Sequence, residues 1–307
     1  MPVNSPFNTA SPQAAEIASL YWFVLGICIF LLLVVVGSLT FILIRYRGSR
    51  GHEASKRQEN LLLEVAWTAI PLLMVGAIFG YTLRTMHRVY PPAGDREPDV
   101  RIVAHQWFWE VHYPQLDVST ANEIHVPVGK DLLFMLNSAD VIHDFWVPRL
   151  DRKIDVTPAY PVHLWMQVTK PGVYLGTCAE YCGAGHAYMR IRVVAQEPDE
   201  FAAWAATQAQ PHAPPTSRDA VEGEKIFTSR TCANCHAIRG TSADGDVGPD
   251  LTHLGSRKTI ASGAADNTPE TLSRWLKNPD SIKPGSHMPN LQLSDAEVRK
   301  LVAYLEG

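Results

Sequence analysis

The chain has 307 residues, of which 46% are hydrophobic and 19% are charged. At roughly 100–200 residues per domain, this length argues against a single domain and favours two folded units beside an anchor. A mean hydropathy of −0.05 is too apolar for a disordered chain and too polar for a protein that lies mostly in a membrane. The net charge of −4 predicts no basic surface for phosphate, so nucleic acid is not an expected partner.

The first predicted element is a membrane-spanning helix. No charged residue occurs from Ile17 to Ile44, and a helix of that length exceeds the ~30 Å hydrocarbon core of a bilayer. A cleaved signal peptide is the alternative, but residues 1–16 lack the Lys or Arg with which such a leader begins. Cys28 follows Ile27, where a lipoprotein signal needs a small residue, and is interpreted as an inert helix residue.

A second apolar run, from Leu61 to Leu83, predicts another membrane helix and contains the carboxylate Glu64. Residues 1–90 are therefore interpreted as an N-terminal segment and a transmembrane hairpin. The positive-inside rule places the connecting loop in the cytoplasm and both termini outside. The basic residues of the loop that decide this orientation are Arg45, Arg47, Arg50, Lys56 and Arg57.

Short segments rich in Val, Ile and aromatic residues follow Pro91 and Pro92, separated by turn residues. They predict an antiparallel β-domain over residues 91–200. This region has 9 basic and 15 acidic side chains, a net charge of −6. The predicted strand segments are Val100–Tyr113, Glu123–Val128, Asp131–Leu136, His163–Val168 and Ala187–Val194.

Residues 201–217 carry no charge and end in P-H-A-P-P-T-S, which predicts a semi-stiff linker. A second domain is expected over residues 218–307. Its last element is a helix, because Ser294 and Glu297 form a capping box ahead of an apolar helical face. The residues of that face are Val298, Leu301, Val302 and Leu305.

The second domain contains a haem-attachment motif. In Cys232-Ala-Asn-Cys235-His236, two thiols can add to the haem vinyl groups while the imidazole faces the iron. A structural disulfide with an incidental histidine is the alternative. Met288 is the only methionine after residue 217 and is the predicted sixth ligand, with His253 and His287 as bis-histidine alternatives.

A second cluster combines Cys178, Cys182, His186 and Met189 within twelve residues. Thiolate, imidazole and thioether together select copper, and two thiolates can bridge two copper ions. Each ion then needs its own imidazole, so a further histidine must come from another strand. The candidate is His143 in V-I-H-D-F-W-V-P, and a Cys178–Cys182 disulfide is the alternative interpretation.

With these two motifs, the chain resembles subunit II of haem-copper cytochrome c oxidases, in the form that carries a C-terminal cytochrome c. The resemblance covers nearly the whole chain and implies a multidomain membrane protein. It consists of a two-helix transmembrane hairpin, an all-β cupredoxin-like Greek-key domain with a binuclear CuA centre, and an all-α class I cytochrome c domain. The chain departs from the family pattern at Ala159 and Tyr160, where a glycine and a polar residue are usual.

The resemblance also implies roles for individual residues. Trp107, in H-Q-W-F-W, would receive electrons above CuA, and Glu64, in E-V-A-W-T, would lie at the cytoplasmic mouth of a proton path. The carboxylate of Glu180 would reach a magnesium ion shared with subunit I, and its main-chain carbonyl would complete one copper site. The side chains implied as copper ligands are His143, Cys178, Cys182, His186 and Met189.

The expected function is that of subunit II in a proton-pumping terminal oxidase of the bacterial inner membrane, with both cofactor domains on the periplasmic side. Electrons would pass from covalent haem c through CuA to the oxygen-reducing site of subunit I. Expected partners are subunit I, further oxidase subunits, membrane lipid, and an external cytochrome c or an upstream quinol-oxidising complex. The alternatives are a membrane-anchored electron carrier or copper-assembly protein, which would need exchangeable ligands, and nitrous oxide reductase, which would need a histidine-rich propeller.

Overall fold

A computed structural model describes residues 5–47, 59–90 and 96–307. Arg50, Lys56 and Arg57 of the predicted cytoplasmic loop lie outside the described residues, as do Pro91 and Pro92. The described chain divides into two compact units. One contains residues 15–90, and the other contains residues 91–307 with the N-terminal fourteen residues.

Two long helices form the first unit. Helix α1 spans Pro12–Arg45 and helix α2 spans Leu61–Val89. Their 34 and 29 residues give lengths beyond the ~30 Å hydrocarbon core at ~1.5 Å per residue. Their apolar side chains are exposed along most of their length, as at Leu33 and Leu72. Such faces are suited to lipid, and both predicted membrane helices are present.

The β-domain is a sandwich of two five-stranded sheets. The strand orders are β3-β2-β1-β5-β8 and β4-β10-β9-β6-β7. Side chains that alternate along the strands fill the core between the sheets, with Trp109, Phe134 and Phe145 fully buried. The strands are β1 Val100–His105, β2 Phe108–Tyr113, β3 Val118–Ala121, β4 Glu123–Pro127, β5 Asp131–Ser138, β6 His143–Trp146, β7 Ile154–Val156, β8 Val162–Gln167, β9 Gly172–Cys178 and β10 Arg190–Gln196.

The expectation of a purely antiparallel domain is wrong. Strand β1 pairs with β5 in parallel, and β10 pairs with β4 in parallel, while the other pairs are antiparallel. Strands that follow one another in sequence, such as β4 and β5, belong to different sheets, so distant segments become neighbours. Alternating hydrophobicity reports which face of a strand is buried but carries no information about the direction of its neighbour.

The predicted linker is also wrong over its first half, because residues 201–208 belong to helix α3, Pro198–Gln208. Phe201 and Trp204 pack against the core of the β-domain, and Trp204 stacks on the ring of His125 with a centroid distance of 4.1 Å. These apolar residues recur at helical spacing, so burial of one helix face stabilises a segment that its lack of charge had suggested was a linker.

Residues 218–307 form the haem domain, which is mostly helical. Its helices are α4 Arg218–Ser229, α5 Cys232–Cys235, α6 Pro269–Lys277 and α7 Asp295–Leu305, with a hairpin of β11 Thr259–Ile260 and β12 Ala265–Asp266. The predicted capping box of Ser294 and Glu297 is confirmed. Helices α4 and α7 are in contact at Gly223, where a Cβ atom would lie 2.1 Å from the carbonyl oxygen of Lys300.

Ala159 adopts a backbone conformation that favours glycine. Its φ of 63° lies in the left-handed region, which costs a residue with a Cβ atom roughly 1–2 kcal/mol. The turn is retained without glycine, because Tyr160 N donates to Thr157 O at 3.4 Å and Ser138 forms a bridge with Pro158. Tyr160 is exposed beside it.

Candidate copper centre and haem site

The β-domain brings all five predicted copper-ligand side chains together. The Sγ atoms of Cys178 and Cys182 are 3.7 Å apart, and His143 Nδ1 lies 3.9 Å from Cys178 Sγ. The Nδ1 atom of His186 and the Sδ atom of Met189 lie 3.6 Å and 3.9 Å from Cys182 Sγ. His143 begins β6 and Cys178 ends β9, which are paired strands, and the other three lie in the loop between β9 and β10.

Four of the five donor side chains are buried, His186 is partly buried, and the set suits a cation. His143 and Met189 are fully buried, and the two cysteines are only 2% and 3% exposed. The Cys182 thiol and the His143 imidazole hold the pKa of Cys178 far below its usual range, to about 3. The nearby Cys178 raises the pKa of Cys182 in turn. The protein alone thus favours one negative sulfur, and two adjacent thiolates require a positive charge between them.

Asp140 orients the His143 ring. The His143 Nε2 atom lies 2.8 Å from Asp140 Oδ1, so this nitrogen donates to the carboxylate and Nδ1 faces the sulfur atoms. A carboxylate on the far nitrogen is the usual partner of a metal-binding histidine. Sequence reasoning missed Asp140. Its position three residues before His143 was the available signal.

Glu180 presents its main chain and side chain to different surroundings. Its carbonyl oxygen is 3.2 Å from Cys178 Sγ, within the cluster of donors. The residue itself is exposed, so its carboxylate is accessible to another molecule. The two groups can therefore serve two separate sites.

Trp107 contacts the copper-ligand loop directly. Its Nε1 atom donates to the Cys182 carbonyl at 2.9 Å, and Gln106 Nε2 donates to the same oxygen at 2.7 Å. The indole lies so close to Gly185 that a Cβ atom there would be 2.4 Å from Trp107 Cδ2. Gly185 therefore allows an aromatic ring to pack on the loop that carries Cys182 and His186.

The haem domain lines most of a partly open cavity of about 380 Å³. This volume lies in the usual range for cofactor and ligand sites, roughly 300–1,000 Å³. The same cavity is lined by Trp107 and Phe108 of the β-domain, so the two domains share its wall. The predicted haem residues that line it are Cys232, Cys235, His236 and Met288.

His236 is arranged as a metal ligand. Its Nδ1 atom donates to the Pro249 carbonyl at 2.8 Å, which leaves Nε2 as the free lone pair. Burial lowers the pKa of His236, and this favours the neutral imidazole that a metal requires. Gly248 packs against the ring, because a Cβ atom there would lie 2.5 Å from His236 Cε1.

The three candidates for the sixth haem ligand differ in whether they line the cavity. Met288 and His287 line the cavity. His253 does not, and its Nε2 atom donates to the Gln210 carbonyl at 2.9 Å. The His287 ring lies against Trp107, with a centroid distance of 4.6 Å.

Arg257 also lines the cavity, although sequence reasoning did not single it out. Its Nη2 atom donates to the Asp250 carbonyl at 2.5 Å, and its Nε atom is buried without a hydrogen-bond partner among the described residues. A buried cation with a spare donor fits a cofactor that carries negative groups, as the carboxylates of haem do. No sequence motif marks an isolated arginine, so the position of Arg257 at the cavity is recognisable only from the fold.

Glu64 lies in the first turn of α2 and has a local structural partner. Its Oε1 atom accepts from Asn60 N at 3.2 Å, and Asn60 Oδ1 accepts from Leu63 N at 3.4 Å. These reciprocal bonds cap the helix. The residue is partly exposed.

Comparisons with known proteins identify three matching families along the chain. Residues 5–84 match the transmembrane domain of cytochrome c oxidase subunit II, residues 115–196 match its periplasmic domain, and residues 220–307 match cytochrome c. The second and third domains imply a CuA copper centre and a haem c. The first, together with the two apolar helices, indicates a membrane-anchored protein.

Curated relatives extend over most of the chain. Cytochrome c oxidase subunit 2 of Alkalihalophilus pseudofirmus is 34% identical over 89% of this chain and 82% of its own. The Bacillus subtilis protein is 30% identical over 87% and 81%. The crystal structure of the periplasmic domain of subunit II of cytochrome oxidase from Bradyrhizobium japonicum aligns over 38% of this chain and 95% of its own, with 32% identity and a TM-score of 0.36. The chain belongs to the cytochrome c oxidase subunit II family and is a subunit of that oxidoreductase complex with a cytochrome c domain at its C-terminus.

Proposed function

We propose that this subunit accepts single electrons at a covalent haem c and passes them through CuA to the oxygen-reducing site of subunit I. The observation that carries the proposal is the position of Trp107, whose indole donates to the Cys182 carbonyl and lines the haem cavity. One aromatic side chain thus contacts both sites, and haem and copper, when bound, supply the one-electron redox chemistry.

In this proposal the side chains of His143, Cys178, Cys182, His186 and Met189 hold the copper pair, with the Glu180 carbonyl as a sixth donor. The two sulfur atoms lie 3.7 Å apart, and each has its own imidazole nitrogen, at 3.9 Å for Cys178 and 3.6 Å for Cys182, so the donor set would suit two ions. Burial of His143, Met189 and both cysteines favours a resident centre over a copper-delivery site, because delivery requires ligands that exchange.

We propose that Cys232 and Cys235 would attach the haem and that His236 and Met288 would hold its iron. The free Nε2 of His236 and the position of Met288 on the cavity wall support this assignment. A thioether ligand raises the reduction potential of a haem, which suits a donor to an oxidase.

Glu180 is proposed to reach a magnesium ion shared with subunit I. The support is the exposure of its carboxylate beside a carbonyl that belongs to the copper cluster. Carboxylate oxygen is a preferred magnesium ligand.

Proton pumping and membrane orientation complete the proposal. The basic loop residues between the helices, of which Arg45 and Arg47 lie in the described chain, support a cytoplasmic position for that loop by the positive-inside rule. Both cofactor domains then lie on the periplasmic side of the bacterial inner membrane. Glu64, at the start of α2, would lie on the cytoplasmic side, where it would accept protons for subunit I.

Metal analysis and electron paramagnetic resonance (EPR) of the purified oxidase test the copper assignment. One unpaired electron shared equally by two copper nuclei gives a seven-line hyperfine pattern, and we expect two coppers in this chain. Cys182→Ser should abolish that pattern and leave the haem spectrum intact, whereas Cys28→Ser, which changes an exposed cysteine of α1, should alter neither. A single copper with a four-line signal in the unmodified chain would contradict the proposal.

A further inference from the structure

The haem domain contacts the β-domain through the hairpin of β11 and β12. The backbone N–H groups of Lys258 and Thr259 both donate to Glu123 Oε1 at 2.9 Å, and the Thr259 hydroxyl donates to the same oxygen. Arg190 N donates to the Ser262 carbonyl at 3.0 Å. The hairpin is thus bonded to two strands of the β-domain, β4 and β10.

Two haem-domain side chains bind the main-chain carbonyl of Trp107. Ser262 Oγ donates to this oxygen at 2.6 Å, and Lys283 Nζ donates to it as well. Lys283 Nζ also lies 3.0 Å from Ser262 Oγ, which closes a three-membered network. Both residues are buried, at 4% and 5% exposure.

Burial of the Lys283 amine costs free energy of desolvation, so its position points to a role for its hydrogen bonds. In the described part of the chain its Nζ has oxygen partners only from Trp107 and Ser262, and neither is a carboxylate. Burial lowers the pKa of Lys283 to about 7. An amine keeps N–H donors in both protonation states, so its bond to the carbonyl does not depend on its charge. An alkyl side chain would fill such a buried site at lower cost.

The remaining contacts of Trp107 show what this network holds in place. The indole Nε1 is bonded to the copper-ligand loop at Cys182, while the ring lies against His287 of the haem domain. His287 directly precedes Met288, the proposed haem ligand. The hydrogen bonds from Ser262 and Lys283 to the Trp107 carbonyl therefore set the distance between the cavity wall and the indole.

We propose that Lys283 and Ser262 are positioning residues for electron transfer, because by binding the Trp107 carbonyl they hold the haem cavity against the indole. This inference rests on the proposed function. The step is a single electron transfer in which ferrous haem becomes ferric and the copper pair is reduced by one electron. No covalent bond forms or breaks, and no proton is required.

A general role in holding the two domains together is the competing explanation. The ion pair between Arg239 and Asp117 serves that role away from Trp107, since Arg239 Nη1 lies 3.1 Å from Asp117 Oδ2 and Nη2 donates to the Asp117 carbonyl. Arg239→Gln is therefore the matched control. It removes an interdomain contact without altering the network at Trp107.

The experiment uses the complete oxidase with Lys283→Met, Ser262→Ala or Arg239→Gln. A light-excited dye, supplied with a sacrificial electron donor, reduces the haem by one electron, and electron transfer to copper is followed optically. We expect Lys283→Met to slow this transfer by about tenfold, equivalent to about 1.4 kcal/mol, and Ser262→Ala to slow it less. Arg239→Gln should retain the wild-type rate, and the reduction potentials and copper EPR signal should be unchanged in all three.

Hydrogen exchange gives a second readout that does not depend on turnover. The backbone amides of residues 259–263 should exchange faster in Lys283→Met, because Lys283 no longer bonds both the Ser262 hydroxyl of this segment and the Trp107 carbonyl. Wild-type transfer rates in both Lys283→Met and Ser262→Ala would overturn the inference. If the Lys283→Met protein fails to bind its cofactors, the transfer rate of Ser262→Ala alone tests the inference, because that variant removes only one hydroxyl group. Absence of haem-to-copper transfer in the unmodified oxidase would instead refute the proposed function.

Discussion

At the scale of single residues, both candidate sites depend on histidines whose second nitrogen is already bonded. Asp140 occupies Nε2 of His143, and the Pro249 carbonyl occupies Nδ1 of His236. His143 therefore offers Nδ1 to a metal, and His236 offers Nε2. The choice of nitrogen follows from tertiary hydrogen bonds and was not predictable from either motif.

Met288→Leu tests the sixth haem ligand. Leucine is similar in size but has no sulfur, so we expect loss of the far-red sulfur-to-iron absorption band and a lower reduction potential. The haem should stay attached through Cys232 and Cys235. The measurement is the optical spectrum of the oxidised oxidase with a redox titration.

Met86→Leu is the matched control for that variant, because Met86 lies in α2 and is exposed. Its spectrum should equal that of the wild type. Persistence of the far-red band in Met288→Leu would exclude this ligand and favour His287, the remaining candidate on the cavity wall.

The two metal-binding motifs were predictable because their residues are close in sequence. A loop that holds Cys178, Cys182, His186 and Met189 brings its donors together whatever the surrounding fold, and the structure does so. Arg257 and Lys283 were not predictable. Their significance comes from burial beside a cavity and beside Trp107, and an isolated basic residue in the sequence carries no sign of either.

At the scale of secondary structure elements, strong local signals predicted three helices correctly. The elements that were missed depend on packing between segments distant in sequence. The capping box at Ser294 and the two apolar runs predicted α7, α1 and α2. Helix α3 was missed because its uncharged part was interpreted as a linker. Its start is marked by Pro198 and by acidic residues in its first turn, and Phe201 and Trp204 pack it on the β-domain. Strand direction was missed because pairing partners are distant in sequence.

The start of α2 provides a test at this scale, because Glu64 is both a helix cap and the proposed proton acceptor. Glu64→Gln keeps an oxygen that can accept from Asn60 N but removes the acid. We therefore expect normal assembly, intact copper and haem spectra, and haem-to-copper transfer at the wild-type rate. Steady-state oxygen consumption should fall several-fold because proton delivery to subunit I becomes limiting.

Glu59→Gln is the control for this prediction, since Glu59 is an exposed carboxylate just before the helix. It should consume oxygen at the wild-type rate. If Glu64→Gln does the same, Glu64 serves only as a cap and its proposed role in proton uptake is wrong.

At the scale of the whole molecule, the fused haem domain covers Trp107 beside the candidate copper centre. Trp107 is only 7% exposed, and haem-domain residues occupy both its carbonyl and one face of its ring. The acidic β-domain is bonded to the same domain through Glu123 and Asp117. A donor, whether an external cytochrome c or an upstream quinol-oxidising complex, would then deliver its electron to the haem domain.

The central claim, that one chain carries electrons from haem c to CuA, is tested most directly by adding less than one equivalent of reductant to the oxygen-free oxidase in a rapid-mixing experiment. The account predicts that the absorption of reduced haem c appears first. It then decays in step with the near-infrared band of oxidised CuA, and the seven-line EPR signal is lost over the same interval. Haem c that stays reduced while the copper band persists, or copper that is reduced before the haem, would contradict the account.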